Sequence, residues 1–388
     1  MIIAFWISIF LIIYTFVGYG FVLFFLVKIK GLFVKPFLFR TDAVLPTVTI
    51  LIAAYNEEDL IIEKVENTIA LNYPHDKLQI IFITDGSTDR TVERIQGFAA
   101  VTLLHEVSRA GKMAAIKRAI PYIEGEITVF TDANTFLNKD ALLELIKHYQ
   151  NPKVGAVAGE KRILVEELAD ASSAGEGFYW KYESKLKKWD YALYSNVGAA
   201  GELFSIRTGL YQPVETDTII DDHMIAMRIA EQGHIIAYEP DAYAMETASA
   251  DVKEELKRKV RIAAGGIQSI LRLKKAANPF HNFIFTFQYI SHRVLRWTIT
   301  PFLLILALIL NGIIAFTTDM VFYQLLFVLQ MVFYLLSITG FYFESRNIRI
   351  KALFIPYYFC VMNYAVLAGI IRYYKKNQSA AWEKSKRR

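Results

Sequence analysis

Acidic side chains stand just past three β-branched runs of this chain, where together they could hold a cation and a hydroxyl-rich ligand. Val48–Ala54 leads into Tyr55-Asn56-Glu57-Glu58, Leu78–Thr84 into Asp85-Gly86-Ser87-Thr88-Asp89, and Ile127–Thr131 into Asp132-Ala133-Asn134. Carboxylates accept hydrogen bonds from a base N–H or from ribose hydroxyls. A hard divalent cation bridging two phosphates takes oxygen ligands; Asp132 offers the charge and Asn134 a neutral amide oxygen. In an open α/β sheet, ligands bind in the crevice beyond the carboxyl ends of the strands. Three acid-bearing loops therefore describe a pocket for a nucleotide and a metal. Each piece also has a plainer use. Asp-Gly is a turn signal and Ser-Thr-Asp a helix start, Tyr55 can stack on a base or pack on the sheet edge, and the Asp132 loop can cap a helix over Ala141–Tyr149.

Further candidates lie downstream. Lys112 follows Arg109-Ala110-Gly111 at the start of a helix, and both the ammonium and the helix N-terminus attract anions; a solvated surface lysine is equally compatible. Asp221-Asp222 could supply a general base for attack by a hydroxyl, although adjacent acids ahead of Met224–Ala230 also suit a helix cap. Arg258 and Arg261 lie three apart on one helix face. They suit a diphosphate, which arginine binds bidentately, or a solvated or lipid-headgroup face.

The elements that must position these residues are legible in outline. Glu57–Leu71 and Ala110–Ile123 carry the apolar spacing of amphipathic helices, and a further helix is expected over Thr91–Gln96. Strand–helix alternation predicts an α/β domain with a mostly parallel sheet, spanning 45–250. The 388 residues carry a formal charge of +5 and one cysteine, Cys360, which excludes a disulfide framework and a cysteine-rich metal site. No nucleic-acid motif accompanies the basic excess. Met1–Val27 has no charged side chain and suffices to cross a bilayer, so 1–30 is expected to be an uncleaved anchor. Lys28, Lys30, Lys35 and Arg40 behind it place the middle of the chain in the cytoplasm. A basic, aromatic stretch over 251–297 suits interfacial helices in contact with membrane lipids, and a membrane region is expected over 298–371. The basic tail, 372–388, belongs inside by the same charge rule. Three full C-terminal spans would put it outside, so Leu353–Ile371, interrupted by Pro356 and Asn363, is expected to be re-entrant or interfacial.

Taken in order, Ala53-Ala54-Tyr55-Asn56-Glu57-Glu58, Asp85-Gly86-Ser87-Thr88-Asp89, Gly111-Lys112, Asp132-Ala133-Asn134-Thr135, Gly201–Arg207, Asp221-Asp222 and Arg258 through Gly266 resemble the membrane-embedded, inverting family-2 glycosyltransferases. That group includes cellulose, hyaluronan and poly-N-acetylglucosamine synthases. The resemblance covers nearly the whole chain and implies a GT-A-type nucleotide-sugar-binding domain flanked by N- and C-terminal transmembrane helices. It implies that Ala54, Tyr55, Glu57, Asp85 and Lys112 bind the nucleotide of a UDP-sugar. Asp132 and Asn134 would hold Mg²⁺ or Mn²⁺, and Arg258 and Arg261 would face the diphosphate. Asp222 would be the catalytic base, with Glu202 and Asp221 lining the sugar and acceptor site. Three positions depart from the family pattern. Asn134 replaces a second metal-binding acid, Ile220 and Asp221 stand for threonine and glutamate, and Arg258 and Ile262 replace the glutamine and tryptophan of Gln-x-x-Arg-Trp.

The loss of that tryptophan favours adding one or a few sugars, to a saccharide or a lipid-linked acceptor, over processive elongation. The expected reaction is single displacement from a UDP-sugar donor to a hydroxyl, in cell-surface polysaccharide or glycolipid synthesis at the cytoplasmic membrane. Two alternatives stay open. One is a polyprenyl-phosphate glycosyltransferase, which needs no general base. The other is an inactive nucleotide-sugar-binding scaffold of a secretion complex. A homo-oligomer or an export partner is compatible with all three.

Overall fold

The computed structural model describes residues 1–375 apart from 36, 41, 165–170, 248–251, 347 and 349. Helices α1 (Ile2–Ile13) and α2 (Tyr19–Phe33) are joined by a π turn into one rod. The α/β domain follows as β1 (Val48–Ala54), α3 (Ile61–Ile69), β2 (Leu78–Asp85), α4 (Thr91–Gln96), β3 (Thr102–Glu106), α5 (Lys112–Ala119), β4 (Ile127–Asp132), β5 (Phe136–Leu137) and α6 (Ala141–Lys147). It continues with β6 (Val154–Leu164), α7 (Ala171–Leu193), β7 (Phe204–Arg207), α8 (Asp221–Glu231), β8 (Ile235–Thr247) and α9 (Val252–Arg272). The chain then passes through α10 (Phe283–Tyr289), a second π turn, α11 (Leu295–Trp297), α12 (Ile299–Thr317), α13 (Val321–Glu344) and α14 (Lys351–Tyr374). The helix expected over Glu57–Leu71 starts later, at Ile61, because Glu57–Leu60 forms the turn beyond β1.

The strands form one sheet in the order β3-β2-β1-β4-β7-β6-β8-β5. Strands β3, β2, β1 and β4 are parallel, and all seven residues of β1 are buried, as a central strand covered on both faces requires. Alternate β1 residues serve two cores: Leu51 and Ala53 pack with α5 and α8, while Val48, Ile50, Ile52 and Ala54 pack with α3 and α6. The order leaves β1 in one direction through β2 and β3, then returns to its other side with β4. That reversal opens a crevice at the carboxyl ends of β1 and β4, where Ala53 pairs with Asp132. Strand β7 departs from the parallel expectation. It runs antiparallel between β4 and β6, so the loop that precedes it arrives at the same edge as Asp132. Strands β6 and β8 are parallel to each other and end there too, the latter curving far enough to pair Thr247 with Leu164.

Among the described residues, four helices are long and apolar enough to cross a membrane: Ile2–Phe33, Ile299–Thr317, Val321–Glu344 and Ala352–Tyr374. The last is a single helix through Pro356, where an interruption was expected; Asn363 donates back to the Phe359 carbonyl and does not break it. Its far end leaves α13 and packs on the α/β domain, Tyr373 lying against Ile219, Ile220 and Ala264. A side chain at Gly369 would begin 2.6 Å from the Ala263 Cβ, so glycine allows the two backbones to close up. Most of the basic tail lies outside the described residues.

Candidate active site

A cavity of about 620 Å³ sits at the crevice. Among its walls are Glu57, Lys112, Asp132, Asn134, Glu202, Asp221, Asp222, Arg258 and Arg261. Nine of the twelve residues singled out in the sequence therefore line one space. Ala54, Tyr55 and Asp85 stand behind it. Ala54 is buried at the end of β1, and one face of the Tyr55 ring carries Arg109 at 3.9 Å.

The first two loops are tied together before any ligand arrives. Asn56 adopts a left-handed φ of 53°, tolerated by asparagine, and its side-chain oxygen accepts from the Thr88 N–H. Asp85 accepts from the backbone N–H groups of Ala110 and Gly111 at 2.9 and 2.6 Å and from Arg118 at 3.0 Å. Its carboxylate thus anchors the turn that delivers Lys112. Gly86 has φ 71°, and a side chain there would start 2.6 Å from Arg109, so the Asp-Gly pair is required sterically.

The chemistry gathers around Gly201. The point where a side chain on Gly201 would begin is 3.5 Å from Asp132 Oδ2, from Asp222 Oδ2 and from Lys112 Nζ. Lys112 donates to Asp132 at 2.9 Å and pairs with Asp221 at 3.2 Å. Burial works against the Lys112 ammonium, but Asp132, Asp221 and Asp222 together hold its pKa well above the usual lysine value. Asp222 moves the other way. Burial and the neighbouring Asp221 push it up to about 7, against the pull of Lys112. Two adjacent aspartates thus differ in environment: Asp221 takes the lysine, and Asp222 is left near neutrality, which suits a general base.

Two further networks frame this centre. Lys161 on β6 donates to Glu202 at 2.6 Å and to Glu246 on β8, and Arg258 reaches Glu246 at 3.6 Å. Burial opposes ionisation of Glu202, but Lys161 and Arg258 hold it well below the usual carboxylate range. Arg258 thus faces a carboxylate in this state, while Arg261 donates to the Ile219 carbonyl at 3.4 Å. Beneath the Asp132 loop, fully buried Lys64 donates to Thr131 Oγ1 and to the Thr135 carbonyl, at 3.1 and 2.6 Å. The Thr131 hydroxyl in turn donates to the Glu202 carbonyl at 2.8 Å. Burial pulls Lys64 down to about 7, with Asp132 partly restoring it.

Sequence reasoning missed Lys64, Lys161, Glu246, His223, Arg293 and Trp297. Only Lys64 carried a local signal, a lysine in register with the apolar face Ile61, Val65 and Thr68 of α3. His223 adjoins Asp222 in the sequence; the other four reach the cavity through strand pairing or helix packing across long sequence separations.

A metal fits this donor set. No group of three or more His, Cys, Asp or Glu side chains able to hold an ion occurs among the described residues. Asp132 and Asn134 both line the cavity, and a hard cation completes its shell from ligand phosphates and water when the protein offers one or two oxygens.

Comparison with known proteins follows this geometry. Residues 49–207 match Glycosyl transferase family 2. A poly-beta-1,6-N-acetyl-D-glucosamine synthase of Staphylococcus aureus is 30% identical over 241 residues, which is 58% of this chain and 56% of that one. A beta-monoglucosyldiacylglycerol synthase of Nostoc is 33% identical over 168 residues, 41% of this chain and 34% of its own. The aligned part spans about half the length of the former relative and a third of the latter. Among solved structures, a mannosyltransferase from Pyrobaculum calidifontis in complex with GDP-Man and Mn²⁺ superposes with a TM-score of 0.72, covering 97% of this chain and 100% of that one at 23% identity. Residues 49–207 are therefore similar to glycosyl transferase family 2, on a GT-A-type α/β fold.

Proposed function

We propose that this protein is an inverting membrane glycosyltransferase that moves a sugar from a UDP-sugar to an acceptor hydroxyl. The observation that carries the reading is the convergence on Gly201 of Asp222, Asp132 and Lys112, with Asp222 held near pH 7. Asp222 accepts the proton of the acceptor hydroxyl as its oxygen attacks the anomeric carbon from the face opposite the nucleotide. A single displacement of an α-linked donor gives a β product. Asp132 and Asn134 would hold Mg²⁺ or Mn²⁺, which when bound neutralises charge on the departing diphosphate. Lys112 releases Asp132 and turns to the phosphates, and Arg261 faces them from α9. Glu57 and Asp85 shape the nucleotide end, Asp85 through the 109–111 turn. Glu202, fixed by Lys161, and Asp221 border the sugar.

The proposed setting is the cytoplasmic membrane, with the α/β domain inside. Packing of α14 against Ala264 and Ile220 supports a last helix that runs along the roof of the cavity rather than across the bilayer, which keeps the basic tail on the catalytic side. The test is UDP release by detergent-purified protein with Mg²⁺ or Mn²⁺ and native lipid extract, against a panel of UDP-sugars with GDP-mannose included. Release with one donor, abolished in Asp222→Asn, is the expected result. Release untouched by that substitution would favour a phosphate acceptor that needs no base, and no release with any donor would favour the scaffold reading.

A further inference from the structure

One wall of the cavity is not explained by donor, metal or base. It is built by α7, the π turn Ile290–Val294, α11 and the start of α8, and it includes Glu183, Lys187, His223, Arg293 and Trp297. Arg293 and Arg296 both pair with Glu183, at 3.2 and 2.9 Å, so two guanidinium groups share one carboxylate. The second carboxylate of this cluster, Asp190, is taken by Tyr19, Gln288 and His292. Lys187, four residues beyond Glu183 on the same helix face, also lines the wall, where its charge is matched by the Glu160 carboxylate. Two polar atoms here are buried without a hydrogen-bond partner among the described residues: Nε of Arg293 and Nε2 of His223. His223 is 4% exposed and immediately follows Asp222. Its ring meets Trp297 edge-on at 5.5 Å, and the Arg293 guanidinium lies 5.6 Å from that same indole. Burial and the charge of Arg293 push His223 down to about 3, so it is a neutral imidazole beside the base. A buried guanidinium N–H left unpaired is costly, and Arg293 shares its carboxylate, Glu183, with Arg296 and His292, so an anion fits at that open N–H. Above the wall, Met362, Ala365 and Val366 of α14 give the cavity an apolar side.

We infer that this wall is a second anion subsite, separate from the donor diphosphate, which binds a phosphate carried by the acceptor close to its reacting hydroxyl. Arg293 contacts the phosphate, His223 Nε2 hydrogen-bonds the acceptor next to Asp222, and the apolar face of α14 takes its hydrocarbon. The inference rests on the glycosyltransferase reading for which hydroxyl reacts, but not for binding itself. A hydroxylated phospholipid and a polyprenyl-diphosphate saccharide both carry the required chemistry.

The test is lipid retention by the full chain in phosphatidylcholine nanodiscs, counted by native mass spectrometry without donor. The discs are doped separately with phosphatidylglycerol, with a polyprenyl-diphosphate N-acetylglucosamine, or with diacylglycerol. A preference of about tenfold or more for one phosphate-bearing, hydroxylated lipid over both diacylglycerol and phosphatidylcholine is expected, the scale of one charge-assisted hydrogen-bonded contact. Whichever doped lipid wins identifies the source. Arg293→Gln should remove that preference and Arg293→Lys should keep part of it, with UDP affinity unchanged in both. Equal retention of diacylglycerol by the unmodified protein overturns the inference without recourse to any variant. Weaker UDP binding in Arg293→Gln also overturns it, by assigning the arginine to the donor. Because no donor is present in the retention assay, failure to release UDP would sink the proposed activity and leave this result standing.

Discussion

The protonation of Asp222 offers the sharpest test of the catalytic assignment. Burial beside Asp221 pushes this carboxyl up to about 7 from a usual value near 4. Its ionised fraction is then about one tenth at pH 6, one half at pH 7 and nine tenths at pH 8. If the anion is the base, kcat/KM for the acceptor rises about tenfold between pH 6 and pH 8. An aspartate with an ordinary pKa would give a flat profile there. The same displacement makes a statement about stability. The folded pKa lies above the unfolded one, so the charged form is disfavoured in the native state. Stability from this group is complete below about pH 4 and is lost as pH rises towards 7, by an upper limit of ~4 kcal/mol at 1.36 kcal/mol per pH unit. Asp222→Asn removes the ionisation, so the variant should be inactive yet melt above the unmodified protein at pH 8, with the gap closing by pH 4. Turnover followed by UDP release and melting followed by intrinsic fluorescence across pH 4–8 supply both curves. A flat rate profile, or a variant that loses stability at pH 8, would refute the environment argued for Asp222.

Other consequences are separable from this one. Lys64→Met should cost about 1–3 kcal/mol by leaving the buried Thr135 carbonyl without its donor, seen as a lower Tm together with a higher metal requirement, because the Asp132 loop loses its floor. Gly86→Ala should lower stability by about 1–3 kcal/mol through its left-handed backbone and the approach to Arg109, measured by chemical denaturation. Gly201→Val should abolish turnover while leaving Tm within a few degrees, because its side chain would occupy the space enclosed by Asp132, Asp222 and Lys112. Asp132→Ala should raise the Mn²⁺ concentration for half-maximal activity by about tenfold or more, read from metal titrations of UDP release.

The loops beyond β1, β2 and β4 were legible because each combines a β-branched run, which fixes the strand, with polar residues that cannot continue it. The Asp-Gly pair and Thr91–Gln96 were readable for the same local reason. The sequence also placed Asp222 and Lys112 in the site, but not the ion pair between Lys112 and Asp221, which depends on how α5 and α8 approach each other. Asp85, expected at the nucleotide, also accepts from the backbone N–H groups of Ala110 and Gly111, a contact 25 residues away in the case of Ala110 that no local pattern encodes. Strand β7 was invisible as an antiparallel insert because only four residues define it, and its effect is entirely non-local: it turns the 200–203 loop towards Asp132. The wall containing Arg293 and Trp297 was hidden for a similar reason, since those residues read as an interfacial helix until its packing is seen.

The packing of α14 onto the cavity bears on how separable the α/β domain is from its apolar helices. Met362, Ala365 and Val366 belong to a helix that by composition could sit in lipid, yet they form part of the wall around the candidate base. A soluble excerpt ending before Thr298 would therefore lack a side of its own reaction chamber. Catalytic and membrane regions of this kind cannot be exchanged freely among relatives, because a substitution on one side of the seam must be matched on the other. Mechanical state becomes an input as well. A thicker or stiffer bilayer that tilts α13 would shift α14, which packs against it at Gly340 and Tyr357, and change the shape of the chamber, coupling turnover to the physical condition of the lipid around it.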